Sequence, residues 1–70
     1  MQYLVIESED EIFYELEEVH NISYDLAENV LDEAEMMEKE VKPLERVVVI
    51  AFENGNIEAF STVGLKMHFD

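Results

Sequence analysis

The sequence predicts an α+β fold of order β-α-α-β-β, with two helices packed on an antiparallel sheet that contains a C-terminal β-hairpin. Three stretches carry that expectation. Tyr3-Leu4-Val5-Ile6 is a short run of strand-forming residues. From Tyr24 to Val41 apolar residues recur at helical intervals. Val47–Thr62 has the pattern of two strands around Asn54-Gly55. Seventy residues set the scale: a single domain over 1–70, with no linker and no internal repeat. A chain this short buries only about 60% of the surface its unfolded form exposes, so a deep catalytic cleft is not expected.

Tyr3–Ile6 is expected to be the first strand. Ser8-x-x-Glu11 then has the capping-box pattern, in which the hydroxyl accepts from the amide three residues on and Glu11 reaches back. Glu9, Asp10 and Glu11 sit where a helix dipole favours negative charge. Ile12, Phe13, Leu16 and Val19 form a helical stripe. The rival is a second strand with Ile12, Tyr14 and Leu16 on one side and a hairpin around Ser8-Glu9-Asp10. The helical template accounts for Phe13 and Val19 and is preferred. His20-Asn21-Ile22 is expected to be a break.

Ser23 is a suitable N-cap, and a second helix is predicted from about Tyr24 to Val41. Its buried stripe would be Ala27, Val30, Leu31, Ala34, Met37 and Val41, with Met36 at a boundary position. Lys39 and Lys42 suit its C-terminal end, and Pro43 stops it. Arg46–Phe52 is a strand. Asn54-Gly55 predicts a two-residue type I′ turn and an antiparallel return over Ile57–Val63. In that register Phe52, Ile50, Val48, Ile57, Ala59 and Ser61 share one face. Val47, Val49, Ala51, Glu58, Phe60 and Thr62 share the other. The helices can cover only one of the two. The other would be covered by the tail Leu65–Phe69 or by a second molecule through Val47, Val49 and Phe60. The tail itself alternates apolar and polar residues, as a short edge strand does.

The hydrophobic fraction of 49% argues against disorder, even at a net charge of −14. That charge exceeds the roughly 2–8 units that keep a small domain soluble, and self-repulsion makes it costly. It is also lopsided. Residues 7–40 hold fourteen carboxylates and one base, Lys39. Such asymmetry points to a face made for a cationic partner. The expected partner-binding residues are Asp25, Glu28, Asp32, Glu33 and Glu35 on the second helix and Glu11, Glu15 and Glu18 on the first. Asp25, Glu28, Asp32 and Glu35 recur at steps of three and four, which would stack them on one helix face.

Other chemistries find less support. No cysteine is present, so there is no disulfide and no thiolate metal site. Glu17-x-x-His20 has the spacing of half a di-iron carboxylate site, but a second copy and two further glutamates are missing. No calcium loop and no phosphate-binding glycine loop occurs. Paired carboxylates are uninformative among so many, so no enzymatic activity, metal or cofactor is expected. Asn21-Ile22-Ser23 matches a glycosylation acceptor and is more simply read as a helix N-cap. Nothing resembles a signal peptide or a membrane span, which makes the cytoplasm the expected location.

In size, lack of cysteine, excess of Asp and Glu and compact α+β scaffold, the whole chain resembles small acidic phage-encoded inhibitors of host defence. These include anti-CRISPR and antirestriction proteins and uracil-DNA glycosylase inhibitors. The resemblance is one of type and carries no residue assignment. It implies an inhibitor, placed in the host cytoplasm, that imitates nucleic-acid phosphates and blocks the basic DNA- or RNA-binding site of a nuclease or CRISPR surveillance complex. Such a protein would bind no nucleic acid itself. The alternative is a non-enzymatic homodimeric adaptor, joined through Val47, Val49 and Phe60, whose acids serve only solubility. A third is a divalent-cation buffer.

Overall fold

A computed structural model describes residues 2–7 and 11–70. Six strands and two short helices follow one another as β1 (Tyr3–Glu7), β2 (Glu11–Glu15), β3 (Val19–Leu26), α1 (Ala27–Val30), α2 (Glu33–Lys39), β4 (Arg46–Phe52), β5 (Ile57–Ser61) and β6 (Lys66–Phe69). A 3-10 turn, Leu16–Glu18, joins β2 to β3. The fold is mixed α+β but mostly strand. Two three-stranded antiparallel sheets form, in the orders β2-β1-β6 and β3-β4-β5.

The expected order β-α-α-β-β is therefore corrected in its first half. The first predicted helix is a strand. Its register places Leu4 opposite Tyr14 and Ile6 opposite Ile12, so these four side chains share a face. That face, with Leu16, packs onto Val48 and Ile50 of the second sheet. The period-two set Ile12, Tyr14, Leu16 won over the helical stripe because Leu4 and Ile6 need an apolar cross-strand partner. Phe13, which favoured the helix, projects from the opposite face and is 53% exposed. The Ser8 cap, Glu9 and Asp10 lie outside the described residues.

The break expected at His20-Asn21-Ile22 is also corrected: all three lie within β3. His20 is the extra residue of a β-bulge, since Val19 faces Phe52 while Asn21 faces Ala51. Ser23 is a strand residue and caps no helix.

The long second helix is replaced by two short ones. Tyr24–Leu26 extend β3, α1 is one turn closed by Leu31 N–H donating to the Ala27 carbonyl, and Leu31 is extended. The cause is Asp32. Its carboxylate accepts from Glu35 N–H at 2.8 Å while the Glu35 carboxylate accepts from Asp32 N–H at 3.4 Å. This is a capping box, which starts a new helix and ends the old one. At the other end of α2, Glu40 takes the left-handed conformation at φ 56. Val41 N–H donates to the Met36 carbonyl and Glu40 N–H to that of Met37. That is a Schellman closure, completed by the apolar contact of Val41 with Met36.

The facing of α2 differs from the prediction in the same way. Met36 turns inward and Met37 is 80% exposed, the reverse of the expected pair, and Ala34 is exposed. The residues that do cover the sheet are Ala27, Leu31 and Val41, with Val30 and Met36 beside them.

The hairpin at Asn54-Gly55 forms, but with a three-residue loop. Gly55 N–H donates to the Phe52 carbonyl and Phe52 N–H to that of Asn56. Gly55 at φ 90 is the loop's sole left-handed residue, the position where glycine alone escapes the Cβ clash. One more loop residue shifts the register by one: Val48 faces Phe60 and Val49 faces Ala59. The faces exchange accordingly. Val47, Val49 and Ala59 lie beneath the helices, while Val48, Ile50, Phe52 and Phe60 meet the other sheet. The molecule is thus layered as helices, sheet β3-β4-β5, sheet β2-β1-β6. The C-terminal segment contributes Leu65 and Met67 to the inter-sheet core, and β6 is an edge strand as expected.

Candidate functional site

No buried residue among those described is polar or charged, and most of the carboxylate residues are exposed. Among the described residues, the carboxylates that lie within 4 Å of a basic side chain meet histidine only: Glu53 is 3.4 Å from His20 Nδ1 and Glu7 is 3.7 Å from His68 Nε2. Lys39, Lys42, Arg46 and Lys66 neutralise no carboxylate at that range. Among the described residues, close pairing with lysine or arginine therefore does not offset the acidic surface.

The eight predicted partner-binding acids divide between two sides of the molecule. Glu11 and Glu15 flank Phe13 on the outer face of β2, where Glu11 stands directly opposite Glu7 and Glu15 opposite Tyr3. Glu18 sits in the 3-10 turn, and its carbonyl accepts from Glu53 N–H at 2.9 Å. Asp25, Glu28, Asp32, Glu33 and Glu35 belong to the helical side, beyond the second sheet. The sequence does not place all eight on one face, because the segment bearing Glu11 and Glu15 is a strand of the far sheet.

The helical set is concentrated. Glu28, Asp32, Glu33, Glu35, Glu38 and Glu40 are all exposed, against a single base, Lys39, in the same span. They are not the continuous stripe expected of one helix. Asp25 is a strand residue whose carboxylate accepts from Leu26 N–H at 2.7 Å and from the Asn29 amide at 2.8 Å. Asn29 first, and then the Leu26 amide, hold its pKa below the ordinary aspartate value. Asp32 and Glu35 are tied into the cap. Glu28 is fixed through its backbone, which donates to the Pro43 carbonyl at 3.0 Å, while Ala27 N–H donates to that of Glu45 at 2.8 Å. The loop after α2 thus clamps α1, and short helices that would fray alone are held in place.

Charge density can be set against a nucleic acid. From Asp32 to Glu40 five carboxylates fall along roughly 12 Å of helix axis, or one per roughly 3 Å. One strand of duplex DNA carries a phosphate about every 3.4 Å. The match is in linear density alone, because at 3.6 residues per turn these side chains spread around the axis rather than lining one edge.

The residues proposed for a homodimer do not come together. Val47 is fully buried and Val49 is 7% exposed, both under α1, Leu31 and Val41. Phe60 is on the other face of the sheet. The helices and the second sheet cover both faces, so no common exposed patch remains there.

Sequence reasoning missed a groove beside the β5 edge. It has a volume of about 520 Å³, with Ile12, Phe60 and Leu65 among its apolar walls and Glu38, Glu40 and Glu45 among its polar ones. Lys39 Nζ lies 5.7 Å from the centroid of the Phe60 ring. Glu45 Oε2 is buried and meets no hydrogen-bond partner among the described residues. These residues are distant in sequence, and no local pattern announces them. Among the described residues no three His, Asp or Glu side chains gather as a metal site would require. Compared with protein-family models, curated proteins and solved structures, the chain matches none.

Proposed function

We propose that this protein is an inhibitor of the phage type, acting on a host defence nuclease or CRISPR surveillance complex. Its helical layer would occupy a basic DNA- or RNA-binding site in place of nucleic-acid phosphates. The observation that carries this reading is the run Glu28–Glu40, where six exposed carboxylates stand against one lysine on segments fixed by a capping box and a Schellman closure. Fixed charges matter because a partner then gains attraction without ordering a floppy acidic tail. Binding would release the counterions held by the acidic face and by the partner's groove, and so would fall steeply with salt. The basic partner is a protein; nucleic acid itself would be repelled.

The test uses the immobilised protein and host lysate at about 50 mM salt. A specific partner should be released by excess duplex DNA or RNA, and also near 1 M salt, where the screening length is about 3 Å. Its nuclease activity should then be inhibited by the purified protein. The triple substitution Glu33→Gln, Glu35→Gln, Glu38→Gln should weaken inhibition at least tenfold. A partner that stays bound at 1 M salt, or that nucleic acid fails to displace, would show that phosphate mimicry is the wrong account.

A further inference from the structure

The edges of the two sheets are not alike. β2, β5 and β6 are edge strands that each carry a glutamate or a lysine: Glu11 and Glu15, Glu58, and Lys66. Charges of that kind keep an edge from pairing with another chain. The remaining edge, β3, is the longest described strand at eight residues. Residues 19–24 hold no carboxylate, lysine or proline, and form the longest stretch free of carboxylates between residues 7 and 40.

The hydrogen bonds show which groups this edge offers. Ala27 N–H donates to the Glu45 carbonyl and Glu53 N–H to that of Glu18, so the odd-numbered residues of β4 face β3. Their register partners include Asn21, Ser23 and Asp25. Ile22 and Tyr24 alternate with these and point N–H and C=O away from β4, toward no described strand. The offer is bounded on both sides. The bulge at His20 interrupts it, and the Asp25 carboxylate takes the Leu26 N–H at 2.7 Å. What remains is symmetric about Ser23, which is exposed.

We propose that β3 pairs antiparallel with β3 of a second copy of this chain, about a two-fold axis at Ser23. Ile22 then faces the second copy's Tyr24, and each such pair exchanges both of its backbone hydrogen bonds. Their side chains lie on the inter-sheet face, where Ile22 is half-buried and Tyr24 is 59% exposed, so each tyrosine gains an isoleucine as cover. On the helical face Asn21 sets an amide donor against the second copy's Asp25. A like-charged copy suits this edge because the pairing brings no two carboxylates together, whereas a basic strand would find none to meet along residues 19–24. The axis is perpendicular to the sheet, so both helical layers lie on one side of a continuous sheet of order β5-β4-β3-β3-β4-β5. Their acidic surfaces become neighbours. Repulsion between the two bodies, each at net charge −14, keeps the pairing weak and makes it tighten with salt.

Analytical ultracentrifugation of the full chain in about 0.1 M and about 1 M sodium chloride tests this, since the screening length falls from about 10 Å to about 3 Å. The mass should rise with concentration from 8.2 kDa toward twice that, and the dimer should tighten about tenfold at the higher salt. Binding of a cationic partner has the opposite sign, so either can fail without the other. Amide exchange followed by NMR should slow at Ile22 and Tyr24 as the dimer forms and stay unchanged at Ser23, which faces β4. Ser23→Asp sets two carboxylates opposite each other and should weaken the dimer about tenfold. Val63→Asp adds the same charge at a site 77% exposed and away from β3, and should cost no more than about twofold. An equimolar mixture of Ser23→Asp and Ser23→Lys should associate about fivefold tighter than either alone, which misfolding could not produce. A chain that stays at 8.2 kDa in about 1 M salt at about 1 mM protein would overturn the proposal. So would protection at β2, β5 or β6 instead, or equal losses in Ser23→Asp and Val63→Asp. Protection of Ile22 and Tyr24 that appears only when a basic protein is added to a monomeric chain would also overturn it, and would assign the edge to a strand of that protein.

Discussion

The two faces of the β3-β4-β5 sheet are covered in contrasting ways. On one, the β2-β1-β6 sheet lays large side chains against Val48 and Ile50: Leu4 and Ile6 are fully buried, and Ile12, Tyr14, Leu16 and Met67 close around them. On the other, two short helices and the residues flanking them bring mainly Ala27, Leu31 and Val41. The sandwich side is thick and supplies most of the apolar burial. The helical side is thin, carries acids without close lysine or arginine partners among the described residues, and is held largely by backbone and capping hydrogen bonds. Stability and charge are thus assigned to separate layers, which lets a small domain tolerate repulsion on one surface without unpicking its core.

That division is broken most directly by removing volume from each layer. Ile50→Ala, in the fully enclosed inter-sheet core, should cost at the upper end of the 2–5 kcal/mol typical of such changes. Leu31→Ala, under the helices and 8% exposed, should cost about 2 kcal/mol, because the thin layer can settle into the space. Urea unfolding of the two variants measures both. Equal losses would mean that the helical layer is as much a core as the sandwich.

The same division explains what the sequence reveals. β1 and β4 are legible because unbroken strand-forming runs admit one reading, and the tail's alternation places β6. The hairpin is legible, but its register is not: the extra loop residue decides which of Val48 and Val49 faces the helices. Segment 11–19 is ambiguous in sequence because Ile12, Phe13, Leu16 and Val19 fit a helical stripe as well as Ile12, Tyr14 and Leu16 fit a strand. Only the tertiary need of Leu4 and Ile6 decides between them. The split at Asp32 is legible in principle, since Asp32-x-x-Glu35 has the same capping-box pattern as Ser8-x-x-Glu11. Of the candidate site, the acidic excess is visible in composition, while its separation into two sides follows from the strand. The groove is invisible because it joins Ile12, Glu45, Phe60 and Leu65 through tertiary folding.

The next largest effects fall on the helical side, where single backbone devices hold short helices. Asp32→Ala removes the N-cap of α2 and should destabilise the protein by about 1 kcal/mol. Hydrogen exchange should quicken at the start of α2 and leave β1 unchanged. Glu40→Gly should do the opposite at the other end. A glutamate at φ 56 bears a steric cost that glycine lacks, so this substitution should stabilise by about 1 kcal/mol. A loss of stability would mean that the Glu40 side chain contributes more than its backbone strain costs.

The smallest expected effect lies on the sandwich side and appears only in alkali. Burial, and then the neighbouring Glu58 carboxylate, hold the Tyr14 phenol above its ordinary pKa of 10.0. Between pH 10 and that raised value the unfolded chain gives up the proton while the folded chain keeps it. The folded state then binds more protons, so stability falls as pH rises through this window and is unaffected below it. Tyr14→Phe preserves the tilted ring contact with Phe52, at 5.0 Å between centroids, and removes the titrating group. Its melting temperature should match the parent at pH 8 and decline less steeply above pH 10. Glu58→Gln removes only the lesser cause and should recover only part of that difference. The helical side shows the mirror image in acid. Asp25, held below the ordinary aspartate value of 3.8, contributes stability above that pH and loses it as pH falls. If Tyr14→Phe left the alkaline decline unchanged, the phenol would not be the group that senses burial in the sandwich.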